Sequence, residues 1–593
     1  MTTADGIDSP LSALSVLRER VAALRLPLQV HQSEQARQAR KKVVAQLDDY
    51  VLPRTAHVEA PLLAVVGGST GAGKSTLVNA LVDSEVSQTG VLRPTTRAPA
   101  LVYNPAEAGW FESDRILPDL KRVSDGTAGP GALRLVPLET VPPGLALLDA
   151  PDVDSVVEEN RELGGELLHA ADLWVFMTTA ARYADAVPWD FLHEAARRSA
   201  AVSVVLNRVP QEGADEVRQD LAALLDNHGL GESPMFVITE SLLDVGGMLP
   251  RAEIEPVASW LASLAGDPAS RAAVVYRTLD GAVADLLRRA PELAAAADTQ
   301  ASMADQLRAS VMGAYDDALQ TIDETAKDGN LLRGELLARW QEFIGTAELG
   351  YSLEEGMGRT RDRVLALLRA RPPVATGVEE AVGRALETLL VSEADGASHL
   401  ADSRWRADPA GRALLGKADL SRSGPELPER VREQVRRWQT ATVNLINDEI
   451  EDQRFDGRVP SIGVGGLGVS LMVLVLCVTD AEGRDEAAQV AGGPAVVGER
   501  LLEEVFGDKA VRRLAEAARQ DLRDRTRTLL DTEAARFTER IDVLAVDASA
   551  SIALRDAVHG VEHALRDAEP EWRWEAGQVT QHAEQTAQQE GTL

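Results

Sequence analysis

Hydrophobic and polar positions change their period along this chain. Leu11, Leu14, Leu17, Val21 and Leu24 recur at three- and four-residue steps, the spacing of one apolar helix face. A second helical stretch runs from about Ser33 to Val51, carries Arg37, Arg40, Lys41 and Lys42, and is expected to stop at Pro53, because proline removes an amide donor and crowds the preceding turn. From Pro61 to about Thr239 short β-branched runs take over: Leu62–Val66, Ala146–Leu148, Leu173–Thr178, Val202–Leu206 and Met235–Thr239. Helical stretches separate them, which predicts an α/β domain with a mainly parallel sheet covered on both faces. After Pro250 the strand pattern stops. Val275, Leu279, Val283, Leu286 and Leu287 open a helical pattern that continues to about Arg454, with breaks near Asp328–Asn330, Arg371–Pro373 and Pro425–Pro428. Residues 501–568 are again helical and highly charged, and Gln578–Leu593 is polar and expected to fray. No fixed-period repeat is present.

One segment breaks the pattern. Val459–Thr479 has no charge over 21 residues. As a helix it would be ~31 Å long, near the ~30 Å hydrocarbon core of a bilayer. Gly463, Gly465, Gly466 and Gly468 give it a small-residue face, which permits close helix approach but weakens the helix. A second apolar stretch, Ala487–Gly498, is too short to return across a bilayer, and the acidic turn Asp480–Glu486 separates the two. Three readings follow: a single span, a hairpin or shallow re-entrant dipping into one leaflet, and a helix buried in the bundle. Arg454 and Arg458, with Arg436 and Arg437 upstream, favour a cytosolic, lipid-facing flank.

Composition narrows the field. At 593 residues the chain has room for about four domain-sized units. It is 45% hydrophobic and 26% charged, which excludes a wholly disordered chain. Aromatics are only 4%, in keeping with a mostly helical protein. The net charge of −32 argues against sequence-independent nucleic-acid binding, which needs a basic footprint, so no nucleic-acid partner is expected. Cys477 is the only cysteine, which rules out an intrachain disulfide and fits a reducing cytosol. Met1–Ser9 lacks the basic cluster and apolar run of a signal peptide. The nine histidines form no H-x-x-H group, so no zinc site is expected. Trp572 and Trp574 read as a packed helix end, and Arg512–Arg527 as a solvated face of i,i+4 pairs.

The chemistry concentrates after the first strand. Gly68-Ser69-Thr70-Gly71-Ala72-Gly73-Lys74-Ser75 matches G-x-x-x-x-G-K-[ST], between the apolar run Leu62–Val66 and the helical Thr76–Val82. Such glycines let successive N–H groups converge on phosphate oxygens. Lys74 reaches the β- and γ-phosphates, Ser75 offers a hydroxyl to Mg²⁺, and the helix N-terminus adds its dipole. Residues 68–76, Thr76 included, are the expected phosphate cradle. Asp149, ending the run Leu145–Leu148, can hold Mg²⁺ through water. Between them, Gly90–Arg97 contains Thr95 and Thr96, one of which can complete the Mg²⁺ shell. Asn207-Arg208-Val209-Pro210 and Thr239-Glu240-Ser241 end later strands, at the edge where open α/β sheets bind ligands.

The ordered set GSTGAGKS, RPTT, DAPD, NRVP and ITES resembles the five G-box motifs of translation-factor-class GTPases. With helical segments around it and a late apolar insertion, the chain most resembles bacterial dynamin-like GTPases. The motif resemblance covers about residues 60–245. It implies GTP or GDP with Mg²⁺ as ligands, Thr96 as the switch threonine, and Asn207, followed by Arg208, at the base. The metal set is then Ser75, Thr96 and Asp149, and the catalytic set Lys74, Thr70 and Thr96. It implies domains at 1–60 (N-terminal helices), 61–262 (G domain), 263–456 (helical bundle or stalk), 457–500 (membrane-interacting insertion) and 501–593 (helices returning to the bundle). It implies a homo- or hetero-oligomer formed through G domains, lipid contact through residues 459–479, and a place at the inner face of the cell membrane.

Three positions depart from the family pattern. Asp152 stands where the third box has glycine, and its carboxylate would repel a triphosphate unless a cation intervenes. Pro210 stands where the fourth box has the aspartate that pairs with guanine. Val153 follows the third box, where many relatives carry a water-orienting glutamine. Slow basal turnover is therefore expected, raised when facing G domains supply Arg97 or Arg182 in trans. Competing readings are a nucleotide-dependent switch that binds a protein partner without deforming a membrane, and a transporter-type ATPase. The last lacks both an L-S-G-G-Q peptide and an acidic residue after Asp149, where Ala150 stands.

Overall fold

In the computed structural model, the structure describes residues 9–88, 98–113, 116–117, 120–124, 131–154, 158–244, 247–327, 329, 331–344, 372–452, 461–476 and 494–568. The chain divides into two compact units. One comprises residues 1–26, 32–298 and 547–593; the other comprises 27–31 and 299–546.

The first unit opens with α1 (Pro10–Ala23) and α2 (Ser33–Gln46). Pro53 does not end the second helix as expected. The helix passes through a widened turn, Leu47–Val51, where the Leu52 amide reaches back five residues to Leu47 O, and continues as α3 (Leu52–Ala56). Proline then sits in the first turn of a fresh helical segment, where its missing donor costs little.

An eight-stranded sheet follows. Its strands are β1 (Leu62–Gly68), β2 (Ala100–Tyr103), β3 (Lys121–Val123), β4 (Ala132–Pro137), β5 (Leu145–Asp149), β6 (Leu173–Thr179), β7 (Ala201–Val209) and β8 (Met235–Thr239). The order is β3-β4-β2-β5-β1-β6-β7-β8. Every pairing is parallel except β2 with β5. The five expected strands are all present; the last matches its expected range and the other four are one to four residues longer. Strands β2, β3 and β4 were not expected: β3, at the sheet's edge, is only three residues long and begins with the two charged residues Lys121 and Arg122, and β2 has only four residues.

Why the sheet is doubly covered follows from the pleat. Leu63 and Val65 of β1, Trp174 and Phe176 of β6, and Val202, Val204 and Leu206 of β7 join one core. The intervening Leu62, Ala64, Val66, Leu173, Val175, Met177 and Val205 join the core on the opposite face. Side chains on alternate residues point to opposite faces, so continuous apolar strands need cover on both sides. The cover comes from α4 (Lys74–Val82), α6 (Glu158–His169), α7 (Ala186–Arg197), α8 (Ala214–Asn227) and α9 (Arg251–Gly266), with α5 (Ala108–Phe111) a single turn near the edge. A further core joins Leu14, Leu17, Val43 and Leu47 to Leu279, Val283 and Leu286 of α10 (Pro268–Lys327) and to Leu554 and Val561.

The second unit is helical. It contains the C-terminal part of α10, then α11 (Gly334–Ile344), α12 (Pro372–Ala407), α13 (Pro409–Leu415), α14 (Leu427–Asp452), α15 (Ser461–Val475), α16 (Pro494–Phe506) and α17 (Asp508–Asp542). The last described helix, α18 (Ala550–Asp567), belongs to the first unit. An α/β P-loop domain with a mainly parallel sheet and a large helical region is therefore the architecture. On α17, Arg512, Arg519 and Arg525 pair with Asp508, Glu516 and Asp521 one turn away, as their alternation with acids implied.

The apolar segment takes a definite place. Leu467, Leu471, Met472, Val473, Leu474, Val475 and Leu476 are all at most 3% exposed, inside the helical unit's core. A helix apolar all round suits a protein core or a bilayer alike, and here its side chains pack into the helical core. Its small face meets α14: a Cβ on Gly468 would lie 2.8 Å from Val443 Cγ2. Among the described residues no helix is long and apolar enough to cross a membrane. Residues 453–460 and 477–493, with the acidic turn, lie outside the described residues, as do Trp572 and Trp574.

Candidate functional site

β1 delivers the chain at Gly68, beside β6. Gly68 has φ +138°, and a Cβ there would run into the Met177 carbonyl. Only glycine lets the chain turn off the sheet this close to a neighbour. At the loop's other end Gly73 has φ +100°, and a Cβ would lie 2.7 Å from Asn207 Nδ2. The turn Ser69–Gly73 therefore feeds directly into α4, with Lys74 and Ser75 as its first residues and Thr76 next.

The Lys74 side chain is 5% exposed. Its ammonium donates to Gly68 O and Ser69 O, each at 3.2 Å, and forms an ion pair with Asp152. One residue on, Ser75 Oγ donates to Asp149 Oδ2 at 2.7 Å. Asp149 ends β5, next to β1 in the sheet, and is fully buried. Burial pushes its carboxyl up, against the opposing pull of the surrounding hydroxyls and the Lys74 ammonium. Asp149 Oδ1 and the Ser69 hydroxyl are buried without a hydrogen bond among the described residues, and the Ser87 hydroxyl lies near the Asp149 carboxylate and helps hold its charge without a well-formed bond. A buried acceptor without a donor is costly. A hard divalent cation beside Asp149 and Ser75 would satisfy it. No cluster of three or more acidic, His or Cys groups is found among the described residues. That donor set suits Mg²⁺, which uses one or two protein oxygens and completes its shell with water and phosphate.

Asp152, Val153 and Asp154 follow Asp149 and lie over the loop. Val153 is fully buried, and its N–H points to Gly68 O at 3.4 Å. Asp154 Oδ1 accepts from the Thr70 N–H at 2.5 Å and the Thr70 hydroxyl at 2.6 Å, while Oδ2 accepts from Arg182 Nη2 at 2.8 Å. Arg182 also donates to Thr70 O at 2.8 Å and Asp185 Oδ2 at 2.8 Å. Burial would raise the Asp154 carboxyl, but Thr70 and Arg182 overcome it and hold it low. Arg182 is thus bound within its own domain, in contact with the third residue of the loop.

Asn207 reaches the same loop from the end of β7. Its Nδ2 donates to Ala72 O at 2.8 Å, and its Oδ1 accepts the Arg208 N–H at 2.8 Å. This local bond helps hold Arg208 in a left-handed conformation, φ +54°, with an exposed side chain. Residues 68–76, Asp149, Asn207 and Arg208 therefore converge on one sheet edge. Thr95, Thr96 and Arg97 lie outside the described residues. Sequence reading missed the network of Asp154, Thr70 and Arg182. The one visible signal was the spacing of two carboxylates, 152 and 154, after a strand end.

No family model and no curated protein matches the chain. Solved structures do. An oligomerised bacterial dynamin pair, described as a mechanism for long-range sensing and tethering of membranes, is 10% identical with a TM-score of 0.37, over 93% of this chain and 95% of that one. A second chain under the same description is 9% identical with a TM-score of 0.33, over 95% and 96%. The LeoA bacterial dynamin GTPase from ETEC is 11% identical with a TM-score of 0.25, over 94% and 96%.

Proposed function

We propose that this chain is a dynamin-like GTPase that binds GTP and Mg²⁺, hydrolyses GTP slowly, and self-associates through its G domain at the cytosolic face of the cell membrane. The carrying observation is the seat of Lys74. Its ammonium is buried in the curl of residues 68–73, at the head of a helix, with Ser75 and Asp149 joined beside it. That arrangement suits a polyphosphate: backbone N–H groups and the helix dipole face the anion, and the ammonium neutralises it.

Bound Mg²⁺ would supply charge neutralisation of the phosphates, held through Ser75 and Asp149, with Thr96 as a further ligand. Residues 68–76 hold and orient the phosphates. Asn207 and Arg208 stand at the base. The guanine preference rests on the resemblance of the five motifs, since Pro210 supplies no carboxylate. Slow turnover is supported by two observations: Val153 is fully buried and apolar, and the Thr70 hydroxyl is already given to Asp154. Neither can orient an attacking water.

A second reading is a nucleotide-dependent switch that acts on a protein partner without deforming a membrane. It is favoured by the burial of residues 464–476 within the helical unit. The first reading requires this helix to leave the bundle or another part of the chain to reach lipid, since Leu467 and residues 471–476 are buried here. The test is GTP and ATP hydrolysis by the intact chain across a range of protein concentrations, with and without Mg²⁺ and anionic vesicles. Slow, GTP-selective turnover that rises with concentration and with vesicles supports the first reading. Turnover unchanged by vesicles supports the second. A fast rate independent of concentration contradicts self-association as the activating step.

A further inference from the structure

The Lys74 ammonium has three hydrogens to donate, and its three partners are Gly68 O, Ser69 O and the Asp152 carboxylate. A phosphate oxygen can reach this ammonium only by replacing one of them. The two carbonyls belong to the loop itself and are fixed by its backbone. The Asp152 side chain is the replaceable partner, with 19% of its surface exposed. It is also an anion, so it competes with phosphate for the same cation.

Resting on the nucleotide-binding reading above, we infer that Asp152 is a specificity-determining residue: it weakens nucleotide binding and discriminates against the triphosphate relative to the diphosphate. The second half follows from how the turn is pinned. Val153 is buried with its N–H toward Gly68 O, and Asp154 grips Thr70 through two bonds. With its C-terminal neighbours held, Asp152 cannot carry its carboxylate far once displaced. The charge stays beside the phosphates, and a chain with one more phosphate meets more repulsion. Glycine at this position would carry no such charge. The departure from the third-box pattern is thus a functional substitution, placing an internal anion on the loop's own lysine.

The test uses the full chain with Mg²⁺ and direct titration of GTP and GDP into wild type, Asp152→Asn, Asp152→Gly, Lys74→Ala and the double variant Lys74→Ala/Asp152→Asn. Melting curves establish that each is folded. Asp152→Asn and Asp152→Gly should bind GTP tighter by about tenfold or more, the scale of one charge-assisted bond, with a smaller gain for GDP. The double variant should regain over Lys74→Ala only the part that comes from relieved repulsion, less than Asp152→Asn gains with Lys74 in place. Equal GTP affinity in wild type and Asp152→Asn, weaker binding in Asp152→Asn, or equal gains for GTP and GDP would each overturn the inference while leaving nucleotide binding intact. Folded variants and wild type that all ignore both nucleotides at millimolar concentration would overturn the inference and the nucleotide reading together.

Discussion

The Ser75 hydroxyl donates a 2.7 Å hydrogen bond to Asp149 Oδ2, joining the residue after the loop lysine to the end of the neighbouring strand. The other Asp149 oxygen is buried and unpaired. Asp149→Asn should therefore leave the melting temperature unchanged or higher, because a neutral side chain removes a buried charge. The same change should weaken Mg²⁺-dependent nucleotide binding on the order of 100-fold. Ser75→Ala should share the binding loss. Thermal melts and titrations with and without Mg²⁺ check both; a destabilised Asp149→Asn chain with full Mg²⁺ dependence contradicts the assignment.

Arg182 bonds to Thr70 O, Asp154 and Asp185 of its own domain. An arginine acting only in cis cannot be lent to a partner. Arg182→Ala should weaken nucleotide binding several-fold by releasing the loop. Mixing Arg182→Ala with Lys74→Ala should restore no hydrolysis. Recovered turnover in the mixture would show that the arginine works across an interface, as expected from the lack of a water-orienting group in cis.

Arg54 and Asp172 form a buried, two-bonded pair, with Nη2–Oδ2 at 2.7 Å and Nε–Oδ1 at 2.8 Å, and Asp172 Oδ2 also accepts the Leu63 N–H. It ties α3 to the foot of β1. Arg54→Ala strands a buried carboxylate and should cost about 3–5 kcal/mol. Burial pushes the Asp172 carboxyl up, and Arg54 opposes it. A raised folded value gives stability that is present below the ordinary carboxyl pKa of ~3.9 and lost as pH rises through the raised value. The deficit of Arg54→Ala should thus grow as pH rises above the ordinary carboxyl value, read as melting temperature against pH.

Leu471 is fully buried in the helical unit. Leu471→Ala should destabilise that unit by about 2–5 kcal/mol, and Gly468→Val should do so by forcing α15 off Val443. Denaturant melts measure both. Loss of vesicle flotation with an unchanged melt would instead assign this helix to lipid.

How much of this was legible beforehand depended on the range of the interactions involved. The sheet's central strands were visible because β1, β6 and β7 are buried on both faces and read as unbroken apolar runs. The short strands on the β3 side of the sheet, with Lys121 and Arg122 in β3, left no such trace. The phosphate loop was visible because its glycines and Lys74 act at fixed spacing. The partners of that loop were not: Asp152, Asp154 and Arg182 meet it across 78, 84 and 112 positions of chain. Only the order of strands brings them together. Pro53 misled because a single widened turn absorbs it. The 459–479 run carried the same apolar signal for a bilayer and for a bundle core; what distinguishes them is the presence of Val443 and Trp340, from distant helices, against Gly468 and Gly498.

The most direct measurement is equilibrium binding of GTP and ATP to the purified full chain, with Mg²⁺ and with chelator, alongside Lys74→Ala. GTP should bind in preference to ATP, more weakly without Mg²⁺, and far more weakly to Lys74→Ala. A folded wild-type chain that takes up neither nucleotide at millimolar concentration, or that binds as well without the Lys74 ammonium, would contradict the account.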